Sequence, residues 1–139
     1  MTYEVVPLTD AHLDHLTLPE GLDRRAYFTP GSVACAVLAD GEPVFAGGIV
    51  NLQWNRGEAW ILPTSFFKQH FKSCYRIMRD AIPHMAHRGR FWRVQATCAC
   101  GASTVLFRHL GFNHEGRLAR FGPSGEDCFI WSRIFEVKP

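Results

Sequence analysis

Six residues, "QHFKSC" (69–74), follow a strand-like stretch and open a helix-like one. Many enzymes hold a phosphate at such a position, on unpaired backbone N–H groups and the helix's partial positive charge. No glycine occurs among the six, and glycine is required only where an anion must touch the backbone closely. Lys68, Lys72 and Arg76 recur every four residues, with Arg79 nearby, so they share one helix flank. That flank reads either as a lateral grip on phosphate or as a solvated helix face. Cys98 and Cys100 lie on one face at the end of a strand. A reactive thiol there would need a base, for which His109 and His114 are candidates; the alternative is two small buried apolar residues. His12/His15 and His84/His87 each offer two metal ligands without a third, and "CAC" lacks the second pair of a zinc site, so no metal is expected.

The hydrophobic pattern supplies the elements that would position these groups. "TYEVVPL" (2–8) reads as a strand, "TDAHLDHL" as a short helix capped by Thr9 or Asp10, and residues 19–27 as a second short helical piece. Residues 32–63 form a three-stranded antiparallel meander with turns at "DGEP" (40–43) and "NRG" (55–57). Gly47 and Gly48 mark a bulge or a close backbone approach within it. Phe71, Cys74, Tyr75, Met78, Ile82 and Met85 recur at helical spacing, and Pro83 should kink or end that helix. "RFWRVQATC" (90–98) alternates faces as a strand, residues 103–110 form a helix with Gly111 in the left-handed position after it, and residues 112–137 make a closing hairpin. Strands on both sides of the main helices predict one α+β (mixed α/β) domain over residues 1–139, built on a central sheet.

Composition narrows the function classes. The 139 residues are 47% hydrophobic, enough for a core, and fifteen Lys and Arg against thirteen Asp and Glu leave a formal charge of +2. That balance argues against nucleic acid or membrane as a partner. No apolar run reaches bilayer length, no secretory pattern opens the chain, and five cysteines show no disulfide rhythm. A reduced, cytoplasmic protein is expected.

The element order, the "HLGF" motif (His109–Phe112) and the closing hairpin resemble the GNAT acyltransferase superfamily over essentially the whole chain. The pattern "GEAWILPTSFF … RVQATC … LFRHLGFNHEGRLARFGPSGEDC" is similar to GNAT-like proteins of phages and prophages, some akin to a small internal virion protein of short-tailed phages. The resemblance implies a mixed, mostly antiparallel sheet of six to seven strands with about four helices. It also implies that the fourth strand (58–63) and fifth strand (90–98) splay apart. Acetyl-CoA would lie in that gap, its pantetheine on the backbone near Ile61 and Leu62. Its pyrophosphate would sit over Gln69, His70, Phe71, Lys72, Ser73 and Cys74, flanked by Arg76. Against the family's loop pattern the first position agrees as Gln69; Lys72 replaces the glycine and Cys74 the last small residue.

Transfer of an acetyl group to an amine needs a base for the ammonium proton and a donor for the departing thiolate. Glu58 shares a strand face with Trp60 and Leu62 and is the carboxylate nearest the implied gap, hence the expected base. The family's tyrosine acid falls on Phe107, which has no proton to give; Cys100, Ser103 or a water are the substitutes. Trp54, Trp60 and Trp92 are expected to line an acceptor pocket or to pack in the core. Two functions follow. One is acyl-CoA-dependent N-acetyl transfer to an unknown amine. The other is a non-catalytic GNAT-fold phage virion, assembly or host-interaction protein acting through protein contacts. A homodimer through a sheet edge or the closing hairpin is compatible with both.

Overall fold

The computed structural model describes residues 1–99 and 104–136. Seven strands form one sheet: β1 (Tyr3–Pro7), β2 (Val33–Ala39), β3 (Glu42–Asn51), β4 (Arg56–Pro63), β5 (Arg93–Ala99), β6 (Asn113–Leu118) and β7 (Cys128–Ile134), in the spatial order β1-β2-β3-β4-β5-β7-β6. The helices are α1 (Asp10–Leu13), α2 (Phe71–Arg88) and α3 (Thr104–His109), with single 3-10 turns at Arg24–Phe28 and Phe67–His70. Every neighbouring pair is antiparallel except β4 and β5. The meander over residues 32–63 is as the sequence predicts. At its first turn Asp40 (φ 47°) and Gly41 (φ 85°) are both left-handed, the hairpin geometry that matches strand twist.

Side-chain alternation divides the core between the two faces of the sheet. Val37, Phe45 and Cys74 pack together beneath the start of α2, while Ile49, Val94, Ala96 and Trp131 meet Ile82 and Ala86 further along it. On the opposite face Ala36, Ala46 and Leu62 pack under Leu13 of α1 and Tyr27 of the first 3-10 turn. Arg24 ties that turn to α1, donating to the Asp14 carboxylate at 2.9 Å. His12 serves the same helix: its Nδ1 accepts from the Thr9 amide at 3.0 Å.

One expectation is corrected here and one pair of alternatives is decided. α2 runs through Pro83 to Arg88 without a break. A mid-helix proline costs roughly 3 kcal/mol, and the packing of Cys74, Tyr75, Met78, Ile82, Met85 and Ala86 on both sides of it carries the helix past that point. The register shift in β2–β3 falls at Val37/Leu38, not at the glycines. Gly48 instead marks close approach: a Cβ there would land on the Val33 carbonyl and 2.8 Å from Ala34 Cα.

Candidate active site

β4 and β5 pair through three residues only, Arg56↔Arg93, Gly57↔Val94 and Glu58↔Gln95. Both continue beyond that point, β4 to Pro63 and β5 to Ala99, so the two strands fork after Glu58. Along the prongs the backbone of residues 59–63 has no strand partner in β5, and a strand edge of this kind carries unpaired N–H and C=O groups. The closed end is fixed by Asn55, whose carbonyl accepts from the Trp92 amide at 2.9 Å and whose Nδ2 donates to the Arg90 carbonyl at 2.8 Å.

Glu58 occupies the crotch. Its carboxylate accepts from Gln95 Nε2 at 3.0 Å and from Thr97 Oγ1 at 3.3 Å. Gln95 Oε1 in turn accepts from Arg93 Nε at 3.3 Å, and Arg93 donates through both terminal nitrogens to Glu115, at 2.9 and 2.5 Å. Ser132, buried, also donates to Glu115. These bonds, the Arg93 one first, hold the Glu115 carboxyl down at about 2, and the bond to Glu115 raises Arg93, with a smaller contribution from the charge of Glu58. The sequence analysis missed Gln95, Thr97 and Glu115. A signal was present in "RVQAT": polar Arg93, Gln95 and Thr97 alternate with apolar Val94 and Ala96.

A cavity of about 380 Å³ begins at Glu58 and Thr97 and runs between the sheet and α2, bounded by Ile61 on β4 and Phe107 on α3. Ile61 is the one of the two nominated β4 residues that faces it; Leu62 is buried on the other face against Tyr27 and Leu13 and has only its backbone to offer. The indole of Trp60 lies 4.2 Å from the Tyr27 ring, centroid to centroid. Trp54 and Trp92 stand exposed at the closed end, away from the fork, which corrects their expected place beside the gap.

The 3-10 turn Phe67–His70 leads directly into α2, so "QHFKSC" does open the helix after β4. No side chain caps that helix and no acidic residue occupies its first turn, which suits an anion. Gln69 and Lys72 are exposed, Ser73 is half-buried and Arg76 is exposed. His70 is turned toward β1, where Tyr3 Oη meets its Nδ1 at 2.7 Å. Phe71 sets its ring edge-on to Phe67, centroids 5.9 Å apart, and does not line the cavity. Cys74, on the inner side of α2, is fully buried, and burial pushes its thiol up to about 11, so its side chain packs in the core. Phe107 stacks on Trp131 at 5.7 Å with an interplanar angle of 23°. Cys100 and Ser103 lie outside the described residues. Among the described residues no three His, Cys, Asp or Glu side chains converge as a metal site, and no helix is long and apolar enough to cross a membrane.

No protein-family model matches the chain, and no curated protein is significantly similar to it in sequence. Solved structures are similar to it in fold. The ribosomal-protein alanine N-acetyltransferase of Escherichia coli superposes with a TM-score of 0.74 at 11% identity, over 99% of this chain and 97% of that one. An acetyltransferase of the GNAT family from Streptococcus pneumoniae gives 0.74 at 13% identity, over 97% and 100%. A Bacillus subtilis acetyltransferase in complex with CoA gives 0.74 at 13% identity, over 96% and 98%. The seven-stranded, forked sheet is therefore the GNAT acetyltransferase fold. The likeness to phage proteins gains no support from these three structures.

Proposed function

We propose that the protein is an acyl-CoA-dependent N-acyltransferase whose base is Glu58. The observation that carries this reading is the fork itself: two parallel strands part at the residue that holds a carboxylate, beside a cavity of about 380 Å³. The residues present fit a CoA molecule. The unpaired edge of β4 at Ile61 and Leu62 offers backbone groups to an amide-rich pantetheine. The uncapped start of α2, with Lys68, Lys72 and Arg76 exposed along one flank and no acid in the first turn, offers N–H groups and charge to its phosphates.

When bound, a CoA thioester supplies an activated acyl carbon, its C–S bond breaking as the amine forms a C–N bond. The chain's own work is positioning and proton handling. Glu58 accepts the ammonium proton, its two oxygens oriented by Gln95 and Thr97. The position of the family's tyrosine acid is filled by the Phe107 ring, packed on Trp131, so Cys100, Ser103 or a water returns a proton to the thiolate. Arg93 keeps Gln95 in the orientation that donates to Glu58, and Glu115 keeps Arg93 in place.

Calorimetry with CoA and acetyl-CoA tests the reading. A dissociation constant on the order of micromolar is expected, about −8 kcal/mol of binding free energy. No heat at millimolar ligand overturns it and leaves a GNAT scaffold that works through protein contacts.

A further inference from the structure

We propose that the acyl group this protein accepts is an aliphatic chain longer than acetyl, housed in the branch of the cavity that runs sideways beneath α2. The proposal deepens the reading of the fork as a thioester site and rests on it.

The cavity does not stop at the fork. Its lining includes Cys35 and Val37 of β2, two strands away from β4. At the usual strand spacing that is about 10 Å across the sheet, whereas the two carbons of an acetyl group reach no more than about 3 Å. The passage exists because of a particular cross-strand row. Cys35 pairs with Gly47 and Gly47 with Ile61, so on the face beneath α2 the middle position of the row has no side chain. Its neighbours along β3, Phe45 and Ile49, are large and almost fully buried. From above, α2 contributes Ala81, a small residue between the bulkier Ile77 and Met85. A larger side chain at Gly47 or Ala81 would wall the branch off from the fork.

The chemistry of the lining selects the guest. Glu58 and Thr97 are the charged and hydroxyl-bearing residues among those that bound it, and both lie at the crotch where the thioester carbon would sit. Beyond them the walls are aliphatic or aromatic, apart from the thiol of Cys35, which burial pushes up and keeps protonated. A dry apolar void costs stability in proportion to its volume. A hydrocarbon chain fills it without stranding a polar group, which a hydroxylated or charged acyl group would do.

Calorimetry with acetyl-, butanoyl-, hexanoyl- and octanoyl-CoA on the full chain decides the matter. Each methylene buried should tighten binding about fourfold, so hexanoyl-CoA is expected to bind at least roughly tenfold tighter than acetyl-CoA after allowance for chain ordering. Gly47→Val and, separately, Ala81→Leu should each remove that gain while leaving acetyl-CoA within about threefold of the native value. Affinity that is flat or falls with chain length in the native protein overturns this inference and leaves the acetyl reading intact. If no CoA species binds, both readings fall together.

Discussion

Gln95 donates from Nε2 to Glu58 at 3.0 Å while its Oε1 accepts from Arg93 Nε at 3.3 Å. The amide is thereby fixed end for end: a guanidinium can only donate, so the nitrogen of the amide must face the carboxylate. Three side chains on alternate positions of one strand, Arg93, Gln95 and Thr97, thus present donors to a carboxylate on the neighbouring strand or to the glutamine that serves it.

Glu58→Gln should lower acyl transfer about 10²–10⁴-fold, the usual contribution of a positioned base, with CoA affinity unchanged by calorimetry. Gln95→Leu should cost less, about 10- to 100-fold, because Glu58 stays but loses its orientation. A kcat for Glu58→Gln equal to native removes Glu58 as base.

Lys72→Glu should weaken CoA binding about tenfold at low salt, since reversing one exposed charge is worth about twice a surface pair. The difference should shrink as ionic strength rises through about 0.5 M. Equal affinity of the variant and the native protein at low salt would remove the α2 flank from the phosphate site.

Glu115 links stability to pH. Its folded-state carboxyl sits at about 2, below the ordinary value of 4.5, because Arg93 and Ser132 hydrogen-bond to it. A depressed carboxyl contributes stability that is fully present above the unfolded value and is lost as pH falls toward the folded one. The window is therefore between 4.5 and about 2. With the side chain 39% exposed, screening limits the contribution to about 1 kcal/mol. Urea midpoints at pH 6 and pH 3 should differ for the native chain, and the difference should narrow for Glu115→Gln, while Asp23 and Asp127, also held low, keep part of it.

Cys74 should resist thiol reagents in the folded protein. It is fully buried with its thiol pushed up to about 11, so at pH 8 almost no thiolate exists there. Mass spectrometry after labelling should find Cys74 modified only under denaturant. Cys74→Ser should cost about 1–3 kcal/mol by burying a hydroxyl without a partner.

Gly48→Ala tests the crowded crossing of β2 and β3. The added methyl would meet the Val33 carbonyl and Ala34 Cα, both backbone, so the strands must separate. A loss of about 2–4 kcal/mol is expected, read as a lower urea midpoint. Gly41→Ala meets no atom but must keep a φ of 85°, and should cost about 1 kcal/mol.

Much of the fold was legible in the sequence because its periodicities are strong. The alternation of residues 32–63 specified the meander, and the helical stripe from Phe71 to Met85 specified α2. The closing hairpin was plain from the turn residues between Leu118 and Cys128. What failed depends on tertiary placement. Pro83 is a local helix breaker, overruled by packing on both sides. Cys74 satisfied a motif alignment, yet helix phase turns its side chain into the core. Trp54 and Trp92 were expected at the gap because their strands flank it; which end of a parallel pair opens is invisible in either strand alone. Glu58 was chosen by its nearness to the implied gap, but its partners were not, since register across a fork is set by the rest of the sheet.

The short contact between β4 and β5 has a mechanical consequence. The sheet is two plates, one of four strands and one of three, riveted by three residue pairs and clasped by α2, which packs on both. Such a seam is where a breathing motion of lowest cost would concentrate, and a guest wedged between the plates would act as mortar. Its arrival should slow amide exchange in both halves at once, far from any atom it touches.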